Sequence, residues 1–161
     1  MPGFNVVHRI TPLVQLNPND CWAAAIAMAV NMSVQRVKAI AAFNGVTIST
    51  DGSLAQGDIA NLRLLGRGFH MRPHAVSRIP AIARLAQLMR SRPIVVLGRI
   101  RHRRGIIPHA LTIHRLVGGG RADNTEVGFV DPFQRGTHLF MYSDFANRSA
   151  GPVPDPHFIL A

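Results

Sequence analysis

The chain has 161 residues, of which 47% are hydrophobic and 16% are charged. This composition suits one globular domain spanning residues 1–161 and excludes a disordered chain, which would combine low hydrophobicity with high net charge. The formal net charge is +10, and every basic residue is arginine except Lys38. Because the arginines are scattered and no nucleic-acid-binding motif accompanies them, a nucleic-acid partner is disfavoured.

The cysteine content and the apolar segments limit the class of protein further. Cys21 is the only cysteine, so no internal disulfide and no cysteine-rich metal site is expected, and we predict no metal and no cofactor. Residues 1–14 lack the apolar run of a signal peptide, which predicts a cytoplasmic protein or export without such a signal. The most apolar stretch, 23–30, is too short to span a membrane.

Helices are predicted in the first half of the chain. An alanine-rich run after Asp20 has high helix propensity and is apolar on every face, which is typical of a buried central helix. Asp20 is a favourable N-cap for it. The predicted helices cover 21–30, Ser33 to about 42, 54–65 with Gly66 or Gly68 at its end, and 80 to about 90.

Strands dominate the second half. β-branched and alternating runs predict strands over 94–97, 109–117, 125–130 and 137–141, followed by a helical turn over 142–146. The glycine-rich segment 118–124 is expected to be a hairpin loop, because it lacks the strand–loop–helix setting of a dinucleotide site. Helices followed by antiparallel strands predict an α+β domain with a core at about 11–145. Residues 146–161 are expected to form a C-terminal tail, in which 158–160 dock back or add an edge strand.

Cys21 is the first candidate for chemistry. It falls in the first turn of the predicted central helix, where unpaired N–H groups and the helix dipole favour a thiolate and lower the thiol pKa. The alternative is a buried structural thiol. Gln15 lies six residues earlier, across a turn that contains Pro18. Its side-chain amide and the Cys21 backbone N–H would together form an oxyanion hole.

His109 and Asp131 form the second candidate pair. His109 begins one predicted strand and Asp131 ends the next. In an antiparallel hairpin the start of one strand lies beside the end of its neighbour, so the two side chains are expected to be close. An acid at that place would fix the tautomer and orientation of the imidazole. A register shift of one residue would turn Asp131 away and leave a Cys–His dyad.

These residues resemble a known family. The order Gln15, Cys21-Trp22, His109-Ala110 and Val130-Asp131-Pro132 is similar to that of papain-like cysteine peptidases. The resemblance is greatest to their minimal bacterial branch, which includes double-glycine-leader peptidases and avirulence-type effector proteases. It covers roughly residues 11–145. Two features depart from the plant enzymes: Cys21 and His109 are 88 residues apart rather than about 130–150, and an acidic residue precedes the cysteine.

The resemblance implies a papain-like fold, in which a central catalytic helix packs on a C-terminal antiparallel sheet. It also implies a cysteine protease or amide hydrolase, with Cys21 as nucleophile, His109 as base and then acid, Asp131 orienting the imidazole and Gln15 completing the oxyanion hole. The implied partners are a protein or peptide substrate and a cognate inhibitor or immunity protein, and the implied setting is a bacterial effector or toxin. The alternatives are a transamidase using the same triad, and a non-catalytic module that binds peptide or nucleic acid.

Three further features bear on the site. Trp22 has two interpretations, a core residue behind the helix or a wall of the substrate site, and the core is favoured. The basic loop at 99–104 contains four arginines and, if it lines the cleft, would favour acidic substrates. His114 is expected on the opposite face of the strand from His109. The other histidines have no metal-ligand spacing, although His138 is close to the candidate site in sequence.

Overall fold

The structure, a computed structural model, describes residues 3–103, 105–147 and 153–161. All sheet pairings among these residues are antiparallel, which confirms the predicted α+β class. The elements in chain order are β1 (Phe4–Val7), α1 (Cys21–Val30), α2 (Val34–Phe43), α3 (Ile59–Phe69), β2 (Pro73–Ala75), α4 (Ile82–Leu88), β3 (Ile94–His102), β4 (Gly105–Gly118), β5 (Thr125–Val130), β6 (His138–Met141), α5 (Tyr142–Ala146) and β7 (Asp155–Leu160).

One seven-stranded sheet forms the centre of the molecule. Its strand order is β2-β7-β3-β4-β5-β6, and β1 pairs with the C-terminal part of β4. Successive residues of β3 point to opposite faces: Val95 packs with the first three helices, whereas Val96 packs with α4 and α5. The sheet therefore has helices and core residues on both faces.

Helix α1 is the central buried helix that the sequence predicts. Nine of its ten residues are buried, and the Thr112 hydroxyl of β4 donates a hydrogen bond to the backbone oxygen of Ala25, 2.7 Å away. Asp20 precedes the helix, but its side chain makes no capping hydrogen bond, which corrects the predicted cap. The Asp20 carboxylate is engaged instead by Lys38 on α2 and by Asn17.

The third predicted helix has different ends. It begins at Ile59 rather than Leu54 because the Asp58 carboxylate accepts hydrogen bonds from the N–H groups of Ala60 and Asn61, and so caps the helix there. Leu54 instead forms an isolated β-bridge. The helix continues past both glycines to Phe69, and His70 ends it in the left-handed conformation. Helix α4 is shorter at both ends than the predicted 80–90 segment.

The predicted C-terminal tail contributes a strand to the interior of the sheet. β7 lies between β2 and β3 rather than at an edge, and Ile159 and Leu160 are fully buried. Gly98 of β3 makes this pairing possible, because a Cβ at that position would lie 2.1 Å from the backbone oxygen of Asp155. The core therefore extends beyond the predicted limits of 11–145, and part of the predicted irregular stretch before β7 lies outside the described residues.

Strands β3 and β4 extend beyond their predicted ends and form a long hairpin. β3 continues to His102, and β4 begins at Gly105, four residues before His109. Most of the predicted basic loop is thus strand, and Arg104 lies outside the described residues. No helix in the described part of the chain has the length and apolar character needed to cross a bilayer.

Candidate active site

Cys21 is the first residue of α1 and lies at the head of a cleft. Its side chain is buried, with 4% exposure, yet it lines a cleft of about 370 Å³ together with Trp22, Leu54, Ile107 and Phe133. The first N–H groups of a helix have no acceptor within it. Those of Cys21 and Trp22 interact favourably with a thiolate at this position, as does the N–H of Ala110 on β4.

The acidity of the thiol differs from the sequence expectation. Burial raises the pKa of the Cys21 thiol to about 11, because a thiolate loses its hydration there. The N–H groups of Ala110 and Trp22 lower the pKa, and the charge of Asp131 raises it further, but burial is the largest effect. The predicted lowering by the helix N-terminus is therefore wrong for the net pKa, since a position at a helix start does not reveal how deeply the side chain is buried.

His109 and Asp131 lie side by side under the cleft. Nε2 of His109 is 2.9 Å from Oδ1 of Asp131, and neither side chain is exposed. The contact is close, although the N–H direction does not make it an aligned hydrogen bond. The same Oδ1 accepts the backbone N–H of Phe133 at 2.9 Å, which fixes the carboxylate in the turn that follows β5.

The strand register explains how this pair forms. β5 ends at Val130, opposite Thr112 of β4, so the earlier residues of β4 have no β5 partner. The chain after β5 turns over this open part of β4 and places Asp131 and Phe133 against His109. The Phe133 ring stacks on the imidazole, with centroids 4.5 Å apart and an interplanar angle of 15°.

The second imidazole nitrogen is available for chemistry. Nδ1 of His109 is buried and has no hydrogen-bond partner among the described residues. The residue after His109 is Ala110, whose N–H contacts the Cys21 sulfur region. Nε2 of His109 therefore contacts Asp131, while Nδ1 has no partner among the described residues, and the residue that follows His109 contacts Cys21.

Gln15 is held within its own loop. Its Nε2 donates to the backbone oxygens of Asn17 and Pro18 at 2.9 and 2.8 Å, and its backbone N–H donates to the oxygen of Pro132 at 2.9 Å. The last contact ties the Gln15 loop to the turn that carries Asp131. Both Nε2 hydrogens are occupied, so an oxyanion-binding role requires the amide to exchange these carbonyl partners for substrate.

The acidic residue before the cysteine is neutralised by its neighbours. Oδ1 of Asp20 is 2.6 Å from Nζ of Lys38, and Oδ2 accepts from the Asn17 amide at 2.9 Å. Asp20 is 3% exposed. The only lysine of the chain thus offsets the charge next to Cys21, and Asp20 is not among the groups that shift the Cys21 pKa.

Trp22 is both a core residue and part of the cleft wall. It is 1% exposed and packs in the core beside α1, but it also lines the cleft. Its indole N–H donates to the backbone oxygen of Gly52 at 3.0 Å. Gly52 adopts a positive φ of 88°, which favours glycine. Trp22 therefore fixes the segment around Gly52 against the start of α1.

The cleft contains residues that sequence reasoning missed. Asp51, Ser53 and Gln56 line it on the side formed by the segment before α3. Of the predicted basic loop, His102 lines the cleft, whereas Arg99, Arg101 and Arg103 do not. No spacing or motif marked the missed residues, because their places depend on a turn that packs against Trp22.

His114 and His138 make contacts of their own, separate from the His109–Asp131 pair. His114 Nδ1 contacts the backbone oxygen of His8 at 3.2 Å, and His138 stacks on Phe129. Burial lowers the pKa of His114, and the nearby charge of Arg115 lowers it further. Within the described parts of the chain, no group of three or more His, Cys, Asp or Glu residues is placed to hold a metal ion.

The comparisons with known proteins agree with the fold described above. No protein-family model and no curated protein matches the sequence. The crystal structure of a "putative C39-like peptidase" from Bacillus anthracis is similar, with a TM-score of 0.56, 10% sequence identity and coverage of 98% of this chain and 96% of that one. At this identity the likeness shows the fold alone. The chain thus shares its fold with a protein described as a C39-like peptidase.

Proposed function

We propose that the chain is a cysteine peptidase that hydrolyses a peptide or isopeptide bond. The observation that carries the proposal is the fully buried His109–Asp131 pair beside the only cysteine, at the start of a helix and the head of a cleft. A structural thiol would not require an imidazole with one nitrogen against an acid and the other unpaired. Acyl transfer needs a nucleophile, a base and an acid that orients the base. Cys21, His109 and Asp131 are the residues that fit these roles, and Ala110, next to His109, contacts Cys21.

In the proposed reaction, Nδ1 of His109 accepts the proton of the Cys21 thiol as the sulfur attacks the carbonyl carbon. Because burial raises the thiol pKa to about 11, a free thiolate is rare at neutral pH, and transfer to His109 is the route to the nucleophile. Asp131 holds the proton on Nε2 and stabilises the imidazolium. The imidazolium then protonates the leaving amine, and a thioester remains on Cys21.

A water molecule completes the cycle. His109 removes its proton, hydroxide attacks the thioester carbonyl, and Cys21 leaves and recovers the proton. During both attacks the negative oxygen is stabilised by the Cys21 backbone N–H and, after exchange of its loop contacts, by Nε2 of Gln15. The described contacts include none that favours an amine over water as acceptor, so hydrolysis rather than transamidation is proposed. The effector or toxin role remains a prediction from the resemblance alone.

The test combines peptide hydrolysis with covalent labelling. Wild type is expected to cleave members of a fluorogenic peptide library and to be labelled at Cys21 by a peptidyl electrophile, whereas Cys21→Ala does neither. His114→Gln is the matched control for His109→Gln, because both residues lie on β4 and are buried. Hydrolysis that survives in Cys21→Ala, or is lost equally in both histidine variants without unfolding, would overturn the assignment.

A further inference from the structure

The segment around Gly52 gives the cleft a polar wall of hydrogen-bond acceptors. Gln56 is 8% exposed and lines the cleft, and its Oε1 is buried without a hydrogen-bond partner among the described residues. A buried acceptor that lacks a donor is uncommon in folded proteins. A ligand with an N–H group would satisfy it.

Asp51 adds a negative charge to the same wall. Its carboxylate accepts hydrogen bonds from the backbone N–H and the hydroxyl of Ser53, 3.0 and 2.6 Å away. These two bonds lower the pKa of Asp51, the hydroxyl having the larger effect, so the group is ionised at neutral pH.

The rest of the cleft suits a long apolar stem. Leu54, Ile107 and Pro108 line it, and its volume of about 370 Å³ accommodates an extended side chain. Neither arginine nor lysine is among its described lining residues. In a chain of net charge +10, the described lining of the cleft beside Cys21 thus combines one carboxylate and an unpaired amide oxygen with a single histidine, His102.

We propose that this cleft selects a substrate residue with a long cationic side chain, lysine or arginine, close to the bond that Cys21 attacks. The stem contacts Leu54 and Ile107, and the cationic head donates to Asp51 and to Oε1 of Gln56. This inference rests on the proposed peptidase function and gives it a substrate class. It also differs from the expectation of an acidic substrate, because Arg99, Arg101 and Arg103 are not among the residues that line the cleft, while Arg104 lies outside the described residues.

The test uses sets of fluorogenic peptides that differ at one residue near the cleaved bond, which is lysine, norleucine or glutamate. Wild type is expected to cleave the best lysine peptide with a kcat/KM about tenfold above its norleucine counterpart, the usual scale of a charge-assisted contact. Asp51→Asn keeps the shape and should reduce that ratio to about twofold. Gln56→Leu should reduce it as well, and Gln56→Glu should raise it.

Asp123→Asn is the matched control, because it removes the same charge from an exposed residue outside the cleft and should leave the lysine-to-norleucine ratio unchanged. The inference of a cationic site would be overturned by equal rates for the lysine and norleucine peptides, by faster cleavage of the glutamate peptide, or by a lysine-to-norleucine ratio that Asp51→Asn leaves unchanged. In each of these cases the peptides are still hydrolysed, so the peptidase proposal stands.

Fluorescence anisotropy of the same peptides with Cys21→Ser separates the two proposals. If wild type cleaves none of the peptides but the lysine peptide binds Cys21→Ser and loses affinity when Asp51→Asn is added, the peptidase proposal fails and the cationic site stands. If no lysine peptide is bound or cleaved, the cationic site is refuted.

Discussion

Replacing His109 with glutamine tests whether the imidazole supplies the nucleophile. The amide of His109→Gln keeps a hydrogen-bond donor for the buried carboxylate of Asp131, so the variant avoids an unpaired internal charge. What it removes is the group that accepts the Cys21 proton. The rate of alkylation of Cys21 by iodoacetamide then reports the thiolate population directly, since the chain has no other cysteine.

The magnitude follows from the burial of the thiol. With a pKa of about 11, about one Cys21 in 10⁴ is ionised at pH 7, compared with about one in 30 for an ordinary cysteine. The population is thus lower by about 300-fold. The more basic thiolate is intrinsically more nucleophilic by about tenfold, so His109→Gln should react about 20–30-fold more slowly than a free thiol. Its rate should rise about tenfold per pH unit up to about pH 11.

Wild type should behave differently because His109 takes the proton. We expect alkylation at pH 7 to be about 10²-fold faster than in His109→Gln, on the scale of general base catalysis. His114→Gln is the control and should react like wild type. Circular dichroism and thermal unfolding check that each variant is folded. Reaction of His109→Gln at the rate of a free thiol near neutral pH, or equal rates in wild type and His109→Gln, would refute this account of the nucleophile.

Three further predictions concern the groups around the pair. Asp131→Asn should lower kcat by up to about 10⁴-fold, the loss known for the corresponding change in a serine protease triad, with little change in KM in steady-state peptide assays. Phe133→Ala uncovers His109 and should lower the free energy of unfolding in urea by about 1–3 kcal/mol; no change would show that the ring stack contributes nothing. Lys38→Met removes the cation that pairs with the buried Asp20 carboxylate and leaves it only the hydrogen bond from Asn17. The variant should be destabilised by about 1–3 kcal/mol, less than the loss of a fully buried ion pair, because the Lys38 side chain is 35% exposed. Adding Asp20→Asn should restore part of that loss, and strict additivity in the double-mutant cycle would contradict the pairing.

Local sequence patterns were sufficient to predict helix α1, which begins at Cys21, and strand β5, which Asp131 follows. The alanine-rich run gave α1 with its observed ends, and β5 was predicted over its observed residues. The proximity of His109 and Asp131 followed from the hairpin between β4 and β5 and is observed. What failed was the assumption that His109 starts its strand, because the β-propensity of 105–108 is masked by glycine and proline.

Long-range contacts account for most of what was missed. β1 and β2 are short and were not predicted, and β7 was expected only as a docked segment or edge strand over 158–160; each forms by pairing with residues distant in the chain. Phe133 and Gln56 lie in irregular segments whose positions depend on packing against other elements. Burial of the Cys21 thiol has the same origin, since it depends on how the cleft walls close around the helix start.

The burial that opposes a free thiolate also supports its formation beside His109. Moving the Cys21 proton to His109 creates two opposite charges in a poorly hydrated site, where their attraction is stronger than in water. Asp131 raises the pKa of the thiol, but it also lies 2.9 Å from the imidazole, where its carboxylate would face the imidazolium formed by that transfer. In the proposed mechanism the Cys21 proton therefore passes to His109 rather than to solvent. The Phe133 ring, stacked on the imidazole, covers one of its faces.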